Sequence, residues 1–147
     1  MKILSITAQK PHSTGSGTYL TELVRSFDRT GCRQAVVCGV YPDDNIDFPD
    51  SVACYPVFFS RSSEESGNIS FPVTGMSDIM PYESTRYRDL TPVMINEFEE
   101  AFIAAVDKAV NELDPDLIIC HHLFLLTALV RKHFPDRTIY GISPYWR

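Results

Sequence analysis

The chain alternates between short runs that are apolar throughout and longer stretches whose apolar residues recur every three or four positions. Runs of the first kind stand at residues 2–7, 34–40, 51–59, 116–120 and 138–143. Ile3-Leu4-Ser5-Ile6-Thr7 is typical of them, as is Leu117-Ile118-Ile119-Cys120. Strands without apolar/polar alternation bury both faces, as in parallel sheets covered by helices. Helical periodicity fills most of the intervals. Residues 18 to about 29 place Leu20, Leu23, Val24 and Phe27 on one face. A longer helix is predicted from Thr91-Pro92, a cap followed by proline in the first turn. Its residues Ile95, Phe98, Phe102, Val106, Val110 and Leu113 share one face, and Asp114-Pro115-Asp116 ends it. A third helix is expected at about 124–133, before Pro135. Strands interleaved with helices predict one α/β domain with a parallel sheet ordered 3-2-1-4-5 and right-handed crossovers.

Residues 60–90 break the pattern. Arg61 to Asn68 are polar and flexible in composition, and Phe71, Met76, Met80, Tyr82 and Tyr87 follow. A long loop inside a small domain is unusual and often functional. Its second half is expected to pack onto the body or to contact a ligand. Arg86 and Arg88, with Tyr82 and Tyr87, form a candidate patch for anions or stacked sugars; the plain alternative is a solvated loop face.

Composition narrows the class. The chain has 147 residues, of which 44% are hydrophobic, and that supports a core without disulfide staples. A formal net charge of −6 argues against nucleic-acid binding, which needs a basic footprint. Cys32, Cys38, Cys54 and Cys120 contain no Cys-x-x-Cys pair and read as reduced, structural residues. The short apolar start is broken early by Gln9-Lys10-Pro11-His12, so a signal peptide is not expected. No apolar run reaches the length of a membrane span. A cytoplasmic chain is the expectation, with peripheral membrane contact and homo-oligomerisation left open.

In a 3-2-1-4-5 sheet the first and fourth strands are neighbours, and ligands bind where the crossovers diverge, beyond their carboxyl ends. That places Gly15-Ser16-Gly17-Thr18 beside His121-His122. A helix start offers unpaired N–H groups and partial positive charge, and glycines let a phosphate or hydroxyl approach. The turn lacks the Gly-Lys-Ser/Thr of a phosphate loop. It also lacks the third glycine and the acidic strand-two terminus of a dinucleotide fingerprint. An imidazole at the strand end could donate to a sugar hydroxyl or accept a proton. Zinc is disfavoured, since adjacent side chains diverge and neither His12 nor His133 is an obvious third ligand. No Gly-x-Ser-x-Gly elbow is present, so a catalytic serine is not expected.

Several segments together resemble a known family. Lys2 to Thr7, Pro11 and Gly15-Ser-Gly-Thr-Tyr-Leu-Thr-Glu-Leu-Val24 resemble the opening of GT-B glycosyltransferases of the group 1/family 4 class. Pro115 to His122 resembles the Pro-Asp-hydrophobic-His segment closing their fourth strand, and 71–86 resembles an insertion in one subgroup. The resemblance implies a Rossmann-like amino-terminal domain that mainly holds a hydroxylated acceptor. The nucleotide-sugar donor would sit on a carboxyl-terminal domain, with chemistry in the cleft between. Gly15, Ser16, Gly17 and Thr18 would lie near the donor diphosphate, with Tyr82 and Arg86 as further binding residues. His121, or alternatively His122, would be the catalytic histidine. No cofactor and no metal are expected. The sequence departs from the family in ending at Arg147, without a donor-binding domain or its paired glutamates. Ser143-Pro144-Tyr145-Trp146-Arg147 stands where His-Gly usually follows strand five. The expectation is a half-enzyme, inactive alone, with an uncovered apolar cleft face. A free-standing sugar- or nucleotide-binding module and a small interaction protein are the competing expectations.

Overall fold

The computed structural model describes residues 1–143, so Pro144 to Arg147 of the departing tail lie outside the described residues. Its elements are β1 (Lys2–Thr7), α1 (Gly15–Arg29), β2 (Arg33–Val40), β3 (Ala53–Phe58), β4 (Thr74–Gly75), β5 (Thr85–Arg86), a 3₁₀ turn (Tyr87–Asp89), α2 (Pro92–Leu113), β6 (Leu117–His121), α3 (Leu125–His133) and β7 (Ile139–Ile142). The five long strands form one sheet in the order β3-β2-β1-β6-β7. Every pairing in it is parallel, as the unbroken apolar runs require. This is the predicted α/β arrangement, with β6 and β7 as the fourth and fifth strands. β1 is central: Ile6 pairs with Val37 on one side and Cys120 on the other.

Helices cover both faces. On one, Leu20 and Val24 of α1 pack on Val36, Cys38 and Val40 of β2, with Val52 beside them. The sheet is also bonded to that helix, since Gln34 Nε2 donates to the Val24 carbonyl at 2.9 Å. On the other face, Phe98, Phe102, Val106 and Val110 of α2 and Leu126, Leu129 and Val130 of α3 cover Leu4, Ile6, Val37 and Ile118. Thr91 caps α2 by accepting from the Met94 N–H at 3.2 Å, as its sequence predicts. Asp114 ends it in the left-handed region at φ 50°.

The first helix starts at Gly15, three residues earlier than its periodicity predicts. The glycine turn is therefore not a loop ahead of α1 but its opening turn. Thr14 is the cap: its Oγ1 accepts from the Gly17 N–H at 3.2 Å, and its carbonyl accepts from Thr18 at 2.8 Å. The two glycines differ in kind. A Cβ on Gly17 would stand 2.7 Å from the Lys10 carbonyl oxygen, whereas one on Gly15 would meet nothing within 4 Å. Gly17→Ala is expected to cost about 1–3 kcal/mol, the range for forcing extra volume into packed backbone. Gly15→Ala should be near neutral. Urea unfolding of the two variants checks this, and equal effects would refute it.

Residues 60–90 fold onto the body. Ile69, Phe71 and Val73 are buried in the α2 core beside Phe59. Ser70 donates from its N–H and its hydroxyl to the Glu97 carboxylate at 2.6 and 2.8 Å. Tyr41 joins the segment at two points: its hydroxyl donates to the Glu83 carbonyl and accepts from the Val73 N–H. The short parallel pair β4–β5 closes the excursion. No helix among the described residues is long and apolar enough to cross a membrane.

Candidate functional site

A cavity of about 550 Å³ opens at the carboxyl edge of the sheet. Gly15, Ser16 and Tyr19 of α1 line one side; His121 at the end of β6, His122 after it, and Tyr140 to Ser143 of and after β7 line the other. The parallel β1–β6 pairing brings the glycine turn and the histidine pair to one rim. Tyr19 was not singled out from sequence, yet its spacing carries the signal. It lies four residues beyond Gly15 and three beyond Ser16, hence on the same helix face.

The α1 end of the cavity is a donor surface. Helix geometry leaves the Gly15 and Ser16 N–H groups without intrahelical partners, because Thr14 satisfies Gly17 and Thr18. The Ser16 hydroxyl contacts Thr14 Oγ1 at 3.1 Å and donates to Gln9 Oε1 at 3.3 Å. Behind it, His12 holds the turn in place. Thr21 Oγ1 donates to the Gly17 carbonyl at 2.9 Å, so His12 Nδ1–H donates to Thr21 at 2.7 Å. Its Nε2 then accepts from the Asp47 N–H at 3.1 Å. That assignment requires a neutral ring, and burial, outweighing the Asp47 carboxylate, holds His12 below its ordinary pKa.

The histidine side is buried and incompletely bonded. His121, the last residue of β6, is 5% exposed and its Nε2 has no partner among the described residues. Tyr19 meets its ring edge-on at 6.2 Å between centroids. His122 sits in the left-handed region at φ 69°, an uncommon conformation for a residue with a side chain. Its backbone fixes it there: the N–H donates to the Ile142 carbonyl at 2.8 Å, and its own carbonyl accepts from Thr127 Oγ1 at 2.6 Å. Both its ring nitrogens are buried without partners among the described residues. Burial lowers His121 to about 4, with a smaller push from His122, and burial lowers His122 as well. Near neutral pH both imidazoles are uncharged, each with one N–H donor and one acceptor nitrogen. Orphaned buried polar atoms lining a cavity call for a hydrogen-bonding occupant.

The other sequence candidates lie elsewhere. Gly17 is buried beneath the turn and Thr18 is exposed beside it; neither lines the cavity. Tyr82 stacks its ring on the Lys10 ammonium at 4.8 Å, and burial pushes its hydroxyl up to about 12. Arg86 pairs with Asp89 at 2.7 Å and Arg88 with Asp78 at 3.3 Å, so both loop guanidinium groups already hold carboxylates. Among the loop aromatics, Tyr87 touches the segment that follows the histidines. Its ring meets Phe124, two residues beyond His122, at 4.5 Å. Among the described residues no group of three or more His, Cys, Asp or Glu could hold a metal ion.

No protein-family model matches the chain, and no curated protein matches it by sequence. Solved structures do match. The sucrose-phosphate synthase of Thermosynechococcus elongatus superposes over 96% of this chain with a TM-score of 0.58 at 13% identity. CalG4, the calicheamicin glycosyltransferase, superposes over 99% with a TM-score of 0.55 at 15% identity. The chain spans 32% and 33% of those two chains, about a third of their length. Likeness at such identities is a likeness of fold, and the fold in question is a parallel five-stranded sheet flanked by helices. The chain thus has the Rossmann-like α/β fold of one half of a GT-B glycosyltransferase.

Proposed function

We propose that this domain is the acceptor-side half of a glycosyltransferase that moves a sugar from a nucleotide-sugar donor to a hydroxyl acceptor. The observation carrying the proposal is the convergence of two unlike hydrogen-bonding surfaces on one cavity. The free N–H groups of Gly15 and Ser16 suit a phosphate or carboxylate oxygen. The neutral His121 and His122 suit sugar hydroxyls, each of which can give and take a hydrogen bond. Among the described residues lining the cavity there is no Lys or Arg. On this reading the ligand presents an anionic group to the helix start and an uncharged hydroxylated part towards the imidazoles. Tyr19 and Tyr140, 52% and 64% exposed, offer ring faces at the mouth. With Leu123 and Phe124 they leave an apolar rim that a second domain would cover, and on this reading the domain alone does not transfer sugar.

Titration with nucleotide sugars and free sugars, followed by backbone amide NMR, tests the proposal. The Gly15 and Ser16 amide signals are expected to move first. His121→Ala should weaken the binding about 10-fold, the loss of one hydrogen bond to a buried group. Shifts confined to residues away from α1 and β6, or none at millimolar ligand, would refute it. Binding without turnover after a second domain is supplied in trans would favour the free-standing binding module instead.

A further inference from the structure

Cys38 and Cys54 lie 16 positions apart in the sequence, yet their sulfur atoms stand 3.9 Å apart. The parallel register explains the approach. Val36 pairs with Cys54 and Cys38 pairs with Pro56, so the two cysteines are offset by two residues and project from the same sheet face. Both belong to the small core beneath α1, with Val36, Val40 and Val52. Their situations differ. Cys38 is fully buried, whereas Cys54 is partly exposed on β3, the outermost strand of the sheet, whose outer side is bonded at its far end, where the Phe58 carbonyl accepts from the Ile69 N–H. Cys54 is the second residue of β3, away from that outer bonding, and closing a disulfide needs the sulfurs to approach by about 2 Å.

We propose that Cys38 and Cys54 are a reversible dithiol–disulfide site, oxidised by peroxide, that ties the edge strand β3 to β2. The Cys54 thiolate attacks the O–O bond of hydrogen peroxide, giving a sulfenic acid on Cys54 and releasing hydroxide, which is protonated to water. The Cys38 sulfur then attacks the Cys54 sulfur, the S–O bond breaks, and the hydroxyl leaves with the Cys38 proton as a second water. Two thiols lose two electrons and the peroxide gains them. The order of events follows from exposure: Cys54 is the partly exposed sulfur that peroxide reaches, Cys38 is fully buried behind it, and the contact between them holds Cys54 below its ordinary pKa. The same contact, with burial, holds Cys38 well above its own. The exposed sulfur is thus the one that ionises first, and the buried one resolves it. The other two cysteines lack such a neighbour: Cys120 is buried and pushed up to about 12, and Cys32 contacts Thr30. This inference is independent of the sugar-transfer proposal.

The test uses the whole chain treated with stoichiometric peroxide, followed by intact mass, thiol counting and non-reducing peptide mapping. The expected result is a monomer lighter by about 2 Da, the two hydrogens removed. Its reactive thiols, counted after unfolding, fall from four to two. Peptides containing Cys38 and Cys54 should be joined, and dithiothreitol should restore the starting mass. Cys54→Ser should abolish the species, while Cys32→Ser should leave it intact. Retention of all four thiols, a joined pair involving Cys32 or Cys120, or Cys54 driven to sulfinic acid without a joined peptide would each overturn the assignment. The mapping is done on the unsubstituted protein, so a variant that fails to fold does not decide the outcome.

Discussion

Lowering the pH from 7 to 4.5 is expected to destabilise this fold by about 3 kcal/mol, most of it through His121. The sign follows from burial. His121 is held at about 4 in the folded chain, below the ordinary histidine value near 6.5, because its site in the wall of the cavity disfavours the charged ring. Between those values the unfolded chain binds a proton that the folded chain does not. The stabilisation is complete above about pH 6.5 and disappears as pH falls towards 4. His12 and His122, both lowered by burial, add to the loss in the same direction. For His12 the structural reason is explicit, since a protonated Nε2 can no longer accept from the Asp47 N–H. The carboxylates Asp43, Glu65, Glu99 and Asp114, each lowered by hydrogen bonds from neighbouring groups, lose their contributions at lower pH than the histidines. Urea midpoints measured from pH 7.5 to 4.5 check the claim. His121→Gln should flatten the profile, and a wild-type midpoint that stays constant across that range would sink it.

Phe102→Ala is expected to cost about 3–5 kcal/mol, a large share of a typical domain's stability. Phe102 is fully buried. Its ring meets Phe98 at 4.5 Å and Phe59 at 5.9 Å, and Phe59 in turn meets Phe71 at 5.9 Å. This aromatic group joins α2 to the end of β3 and to the segment 60–90. Its truncation therefore leaves a cavity at the point where the irregular segment is anchored. A second effect should accompany the first: protease cleavage within 60–90 becomes faster at low denaturant, before global unfolding. Phe102→Leu should recover much of the loss. A cost below about 1 kcal/mol, or cleavage unchanged, would mean that the segment is held elsewhere.

The strand runs were legible in sequence because burial on both faces removes alternation. β1, β2 and β6 show it plainly, and their order followed from the helices between them. The place of His121 was legible for the same reason, since the end of an apolar run is the end of a strand. The start of α1 was not. Glycines at 15 and 17 read as a turn, but Thr14 caps them into the helix, and the room for that turn beneath Lys10 exists only once β1 is in place. Residues 60–90 have neither helical nor strand periodicity. Nothing local decided that Tyr82 would lie on Lys10, or that the Tyr41 hydroxyl would bond the backbone at Val73 and Glu83.

By itself, the sequence determined the local elements and their alternation, which fixed a parallel sheet and the rim where its first and fourth strands end. It did so because helix and strand periods, caps and prolines act over a few residues. Tertiary structure alone decided which polar atoms were left unpartnered in the cavity wall, that Tyr82 would stack on Lys10, and that Cys38 and Cys54 would meet. Those outcomes depend on register and packing between residues far apart in the chain, where local pattern exerts no force.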